Sequence, residues 1–362
     1  MSRTTITTSD ALRKESWEET LFRDTIKASY FASRLGGDAL TKLNAGEDFE
    51  SSPNDVLYIK TSLGSKGKTK TRDGDKVTFG LIPRLDPATY AGVTSGQTLK
   101  GKEVALTTYN QTLELERYRQ AVSAGAPMDW ARASFDMPAE SRTALLNWGA
   151  EKIDSLCFTA LDASPTKLIY STSGTITGTT TEATAKAAIT ASDKLTPSMV
   201  SALRVWAKTG GGRGQIPIRP VKINGRDYYV LIVYPDVLYD WKTNSTVQQS
   251  YREAMQRGSD NPLFTTASYV WDDVIIHESE WITTGTDGGG ASVPYAKCQL
   301  LGAQALQAAF GERPSIVEDS EDYEEDWFYA WRMTFKVQKA KFNSKDYGAL
   351  CLYVARSNMS GL

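Results

Sequence analysis

The chain has 362 residues, beyond the roughly 250–300 at which a single core normally stops growing, so two lobes or one core with long excursions are expected. Hydrophobic residues at 41% suffice for a packed interior, and 41 Lys plus Arg against 43 Asp plus Glu leave no global pull toward nucleic acid or an anionic membrane. Cys157, Cys298 and Cys351 match no metal-ligand or disulfide spacing and read as buried thiols. No apolar run approaches the roughly 18 residues that span a bilayer, and Met1-Ser-Arg-Thr-Thr-Ile-Thr-Thr8 lacks the apolar region of a secretory signal, so folding in a reducing cytoplasm is expected.

In chain order, Asp10 can cap a first helix in which Trp17 and Leu21, then Phe22, Ile26 and Tyr30, recur at four-residue steps before Gly36-Gly37. Its apolar stripe is narrow and the remaining faces are charged, the pattern of an arm that docks on something else. Val56–Ile59 reads as a short strand, followed by a basic loop with Lys60, Lys66, Lys68 and Lys70. The segment Arg72 to Arg119 is then strand-patterned but has no apolar face large enough to fold alone. Val77–Leu81 alternates, a second alternating run spans Val104 to Tyr118, and between them Pro83, Pro87, Gly92, Gly96 and Gly101 suit a mobile tip. A two-stranded ribbon is marginal in water, so this one must lie on the rest of its domain or on a neighbouring chain.

The strongest helix is expected over Asp136 to Leu161, capped by Asp136 with Pro138 in its first turn and striped by Leu145, Gly149, Ile153, Leu156, Cys157, Ala160 and Leu161. At about 1.5 Å per residue it would be a strut on the order of 35 Å long. Asp162 to Ala191 is rich in Thr, Ser and Gly and reads as a surface loop or ribbon. Thr196-Pro197 opens a helix through Met199, Leu203 and Trp206 that Gly210-Gly-Gly212 closes. Tyr228–Tyr234 should be a strand buried on both faces. A helix over Ser245–Arg257, a strand at Val274–Ile276, a glycine turn at Gly288–Gly290, an apolar run Ala296–Phe310 and strands at Trp327–Val337 and Leu350–Val354 complete an α+β pattern.

Chemical constellations are weak. His277, the only histidine, precedes Glu278-Ser-Glu280, but no Gly-x-Ser-x-Gly elbow supplies a nucleophile, and a structural strand-end role outweighs a hydrolase built around it. Ser62–Thr69 approaches a P-loop but has Ser62 at the first glycine position and no helix-forming sequence after it. A nucleic-acid-binding module using Lys60 to Lys76 is the rival functional reading. Glu318 to Asp326 packs seven carboxylates into nine residues without the glycine of a calcium loop. It reads as a solvated loop or as an acidic patch facing a basic loop of another subunit. Trp327, Tyr329 and Trp331 would share one strand face. No enzymatic activity, cofactor or metal is expected.

The ordered set of arm, long ribbon, strut helix and α+β body resembles the major capsid proteins of tailed bacteriophages, with the HK-ninety-seven-like fold. More narrowly it is similar to the family typified by the capsid protein of coliphage N-four. The residues that carry this are Gly74–Phe79 with Leu81–Leu85, Gly92-Val93, Leu106–Tyr109 and Leu300–Ala305. The resemblance implies an N-terminal arm over 1–45, a strand and basic loop over 46–71 and an extended loop over 72–119. It further implies a peripheral domain over 120–225 with spine helix 136–161 and flexible insertion 162–191, a mainly axial domain over 226–326, and C-terminal strands over 327–362.

Inter-subunit contacts would then involve Trp17, Phe22, Arg84, Tyr90, Lys100 and Lys102. Some members of the wider fold join a loop lysine to an asparagine; Lys76, Lys100, Lys102 and Asn343 are residues of those types, but no aligned motif carries that chemistry over. The implied protein self-assembles as pentamers and hexamers of a virion capsid in the host bacterial cytoplasm. It encloses double-stranded DNA without sequence-specific binding and has no membrane partner. With no long segment before the first helix, a separate scaffolding protein is expected, together with a portal and, optionally, a decoration protein.

Overall fold

The computed structural model describes residues 29–31, 54–61, 75–82, 92–105, 108–134, 136–172, 175–179, 181–210, 216–223, 225–255, 269–289, 292–322 and 325–358. The expected first helix, apart from Ser29, Tyr30 and Phe31, and most of the basic loop lie outside these residues. In chain order the strands are β1 (Leu57–Thr61), β2 (Lys76–Leu81), β3 (Tyr109–Glu114), β4 (Glu116–Gly125), β5 (Leu168–Thr172), β6 (Thr175–Thr179), β7 (Val221–Ile223), β8 (Arg226–Val233), β9 (Tyr269–Trp271), β10 (Val274–Glu278), β11 (Thr284–Gly288), β12 (Val293–Leu301), β13 (Leu306–Glu321), β14 (Asp326–Lys339), β15 (Lys341–Phe342), β16 (Lys345–Asp346) and β17 (Ala349–Ala355). The helices are α1 (Pro127–Arg132), α2 (Met137–Asp162), α3 (Glu182–Ala188), α4 (Pro197–Thr209), α5 (Pro235–Thr243) and α6 (Ser245–Met255).

The strut helix forms as its sequence directs. The Asp136 carboxylate accepts the Ala139 N–H at 3.3 Å, Pro138 sits in the first turn, and Leu145, Gly149, Ile153, Cys157 and Leu161 are buried. This stripe packs on a four-stranded sheet of order β1-β13-β14-β4, in which alternate residues Tyr329, Trp331, Met333, Phe335 and Val337 of β14 are buried. The close approach depends on Gly149: a Cβ there would fall 2.8 Å from the Trp331 ring. Trp148 adds an edge-to-face contact with Trp331, centroids 5.2 Å apart.

A second sheet runs β6-β5-β17-β12-β8-β10-β9, with β7 and β11 paired to β8 and β12. All seven residues of β17 are buried, as are Tyr229–Val233 of β8, because these strands are central and covered on both faces. Beside it, α4 is capped by the Thr196 hydroxyl, which accepts the Met199 N–H at 3.4 Å, and closed by Gly210 at φ +75°. Residues of both sheets and of α2 belong to one continuous apolar core.

Several expectations are corrected. Residues 162–191, read as a flexible surface loop or ribbon, do contain an antiparallel β5–β6 ribbon and add α3, but the ribbon is not free: Leu168 and Ile169 are buried because β5 pairs in parallel with the central strand β17. The run Val104 to Tyr118 is not one strand: β3 ends at Glu114, and β4, from Glu116, pairs with β14 in the body sheet. The acidic stretch Glu318 to Asp326 is no free loop, since β13 and β14 stay paired as far as Glu321 opposite Asp326. The chain also crosses between sheets more often than ranges 120–225 and 226–326 imply, with β5–β7 joining the second sheet and β13 the first. Strand partners separated by well over a hundred residues are chosen by shape and burial, which no local pattern encodes.

Gly149→Val is expected to destabilise the protein by about 1–3 kcal/mol or more, because Trp331 must leave its place. Urea unfolding of the unassembled subunit followed by tryptophan fluorescence measures this, and an unchanged midpoint would contradict the packing.

Candidate assembly surfaces

The extended segment is anchored before it projects. Its strands pair from Lys76 opposite Glu114 to Leu81 opposite Tyr109. One face, Val77, Phe79 and Leu113, is buried in a small cluster with Ala309 of β13, flanked by Tyr58 and Leu115. Lys60 lies over the Phe79 ring with its Nζ 4.9 Å from the centroid. The other face is solvated and carries a Lys76–Glu114 pair at 2.6 Å and a Thr78–Thr112 hydroxyl contact at 3.0 Å. The ribbon thus lies on the four-stranded sheet of its own chain, on the face away from α2.

Beyond the ribbon, every described residue from 92 to 105 except the half-buried Val93 is exposed. Leu99 is 61% exposed, Val104 42%, and Ile82 at the end of β2 61%. The backbone there is shaped by Gly92, Gly96 and Gly101, all at positive φ. The Lys102 ammonium donates to Gln97 Oε1 at 3.1 Å and the Gly101 N–H to Glu103 Oε2 at 2.7 Å. Lys100 and Lys102 therefore sit on this exposed segment, whereas Trp17, Phe22, Arg84 and Tyr90 lie outside the described residues.

The middle of the ribbon is tied, through Gln111, to the residues that meet the end of the strut helix. Gln111 Nε2 donates to the Lys339 carbonyl at 3.0 Å, and its Oε1 accepts the Lys341 N–H at 2.8 Å. Lys339, fully buried, donates through Nζ to the Leu161 carbonyl at 3.3 Å and pairs with Asp346 at 3.3 Å. Asp346 Oδ2 also accepts the Thr166 N–H at 2.6 Å. Burial pulls the Lys339 pKa below its ordinary value, and Asp346 opposes that shift.

A second anchor holds Ser29, Tyr30 and Phe31, within the span expected for the arm, against the body of the same chain. Asp154, inside the buried stripe of α2, accepts the Ser29 hydroxyl and Tyr30 N–H at 2.8 Å and the Phe31 N–H at 3.1 Å. Phe31 packs edge-on against Phe158, centroids 4.9 Å apart. Desolvation raises the Asp154 pKa even though the three donors favour its charged form. Neither Asp154 nor Lys339 was singled out from sequence; a charged residue interrupting an apolar stripe was the available signal. His277, at the end of β10, packs edge-on against Tyr30, centroids 6.2 Å apart. The three thiols are buried, and burial raises the pKa of each, Cys298 to about 12.

A body with a helix-on-sheet core and an anchored ribbon that carries an exposed segment is the plan of a shell subunit. Residues 5–351 match the family model described as "Phage capsid protein", and the chain belongs to that family. It is 25% identical over 352 residues to the "Major capsid protein" of Pseudomonas phage KPP25, covering 83% of this chain and 91% of that protein. In fold it is similar to the capsid of Ralstonia phage GP4, with a TM-score of 0.73, 23% identity and 99% of each chain covered. It is likewise similar to the capsid of Cyanophage Pam1, at 0.69 and 20% identity, covering 85% of this chain and 90% of that one. The HK-ninety-seven-like architecture and the role of structural capsid protein, built into shells from many copies, agree with the sequence expectation.

Asp346→Ala is expected to cost about 3–5 kcal/mol by leaving a buried ammonium without its counter-charge, whereas Lys339→Met with Asp346→Leu should cost far less. In Asp346→Ala the unfolded chain holds the Lys339 proton up to its ordinary pKa of 10.5, while the folded chain releases it lower. Stability should therefore rise with pH across that window. Urea titrations at several pH values check both the magnitude and the sign.

Proposed function

We propose that this chain is the major subunit of an icosahedral phage head, set in pentamers and hexamers around packaged double-stranded DNA. The part of the 1–45 arm that precedes Ser29, and the projecting part of the segment over 72–119, lie on neighbouring copies, Ser29 and Phe31 being buried against α2 of their own chain. The observation that carries this reading is an exposed stretch, 92–105 with Leu99 and Val104, held out on a ribbon whose base is locked to the body. A monomer leaves that apolar surface in water; laying it over a neighbour buries it at about 25 cal/mol per Å². Interfaces of ordinary size, about 1,600 Å² in total, repeated around each subunit make a shell stable through multivalency.

A structural rather than catalytic role follows from this design. Lys100 and Lys102 belong to the neighbour-facing surface, with Trp17, Phe22, Arg84 and Tyr90 as its further members. Assembly takes place in the host cytoplasm with a separate scaffolding protein and a portal, a decoration protein being an optional addition. The near-balanced charge suits a container that holds DNA without binding it sequence-specifically.

Because Leu81 pairs directly with Tyr109, residues 82–108 can be replaced by a two-residue Asn-Gly turn without disturbing the ribbon. The shortened chain is expected to fold with an unchanged far-ultraviolet circular dichroism spectrum and to form no shells. Particles of normal size in electron micrographs would overturn the reading.

A further inference from the structure

The outer face of the four-stranded sheet carries an unbalanced cluster of guanidiniums. Arg117 and Arg119 on the exposed edge strand β4 lie opposite Thr334 and Arg332 of β14. Alternation puts Arg117, Arg119 and Arg332 on the face away from α2, the face that Ala309 and Lys336 share and on which the ribbon rests. Glu312 serves both Arg117, at 3.7 Å, and Arg332, at 3.4 Å. Lys336 is matched by Glu116 at 2.6 Å, and Arg119 makes no ion pair among the described residues. Arg119 and Arg332 thus form a directly opposed like-charge pair, an arrangement that destabilises a sheet on its own.

The far end of the same sheet is the reverse. Around the β13–β14 turn, Arg142 takes Glu318 at 2.5 Å, while Asp319, Glu321, Asp322, Glu325 and Asp326 have no basic partner among the described residues. Arg332 and Asp326 are six residue steps apart along β14, about 20 Å at roughly 3.3 Å per residue. That exceeds the screening length of about 8 Å at physiological ionic strength. The two ends of one rigid sheet therefore cannot neutralise each other within a chain, but they can between chains.

We propose that the acidic β13–β14 turn of one copy docks on the Arg117, Arg119 and Arg332 cluster of the next, head to tail. A contact of this heterologous kind closes into a ring when its rotation allows, which is what a capsomer requires. It rests on the assembly reading and adds to it the surface that sets register between copies, the usual contribution of charge complementarity.

Charge reversal tests it, with wild-type shells as the reference. Arg119→Glu alone, and Glu321→Lys with Glu325→Lys, should each lower shell yield about tenfold at physiological salt, and combining all three in one chain should restore it to within about threefold. All three positions are exposed, and circular dichroism checks that each variant folds. In parallel, a chain carrying Arg119→Cys and Glu321→Cys should give ladders of disulfide-linked subunits on mild oxidation of its shells, the native thiols being buried. Unchanged assembly of both reversed variants, no rescue, or monomers alone after oxidation would overturn the contact. So would normal shells of Arg119→Glu that only retain DNA less well, which would assign the guanidiniums to nucleic acid. All variants and the wild type are co-expressed with the scaffolding protein of the same phage, and failure of the wild-type chain to form shells under those conditions would instead overturn the assembly reading itself.

Discussion

A buried ammonium and carboxylate, Lys339 and Asp346, hold the parts of this subunit together. Strand β14 ends at Lys339, the strut helix ends against its Nζ, and the β15–β16 turn delivers Asp346 to it. Through Gln111 the same junction fixes the middle of the ribbon. Two charges removed from water are costly to separate, so the junction favours one geometry and tolerates little drift.

The rest of the body extends that rigidity. The Gly149 notch lets α2 lie directly on Trp331, and the helix, the four-stranded sheet and the central strands of the second sheet close around one apolar interior. Asp154 applies the same device within the buried stripe of the helix, using three donors to seat Ser29, Tyr30 and Phe31. Residues 29–31 and the ribbon are thus both tied to α2, one along its length and the other at its C-terminal end. Contacts made on neighbouring copies by the arm that precedes Ser29 or by the ribbon would be transmitted to the same stiff element, which suits a shell whose strength comes from many modest interfaces.

Much of the architecture was legible in the sequence where a short-range rule applied. Asp136 with Pro138, and Thr196-Pro197 with Gly210, mark helix ends because capping is a matter of three or four adjacent residues. Tyr229–Val233 announces a central strand because only burial on both faces permits so continuous an apolar run. Residues 162–191 misled for the converse reason: threonines and glycines suggest a surface loop, yet two residues, Leu168 and Ile169, suffice to seat β5 beside β17. Of the candidate surface, the ribbon and its exposed Lys100 and Lys102 were readable as a polar segment with too little apolar face. The residues that anchor it were not.

By itself the sequence determined the elements, their caps and the presence of a segment that cannot fold alone, since each depends on periodicity and on neighbours a few positions away. Only the tertiary structure decided what those elements rest on. Ser29 meets Asp154 across 125 positions and Gln111 meets Lys339 across 228, and a charged side chain destined for burial looks locally like any other. The same holds for the charges left outside. Arg119 and Arg332 become a patch, and Glu321 and Asp326 its opposite pole, only because strand pairing sets them on one sheet too long for its ends to meet.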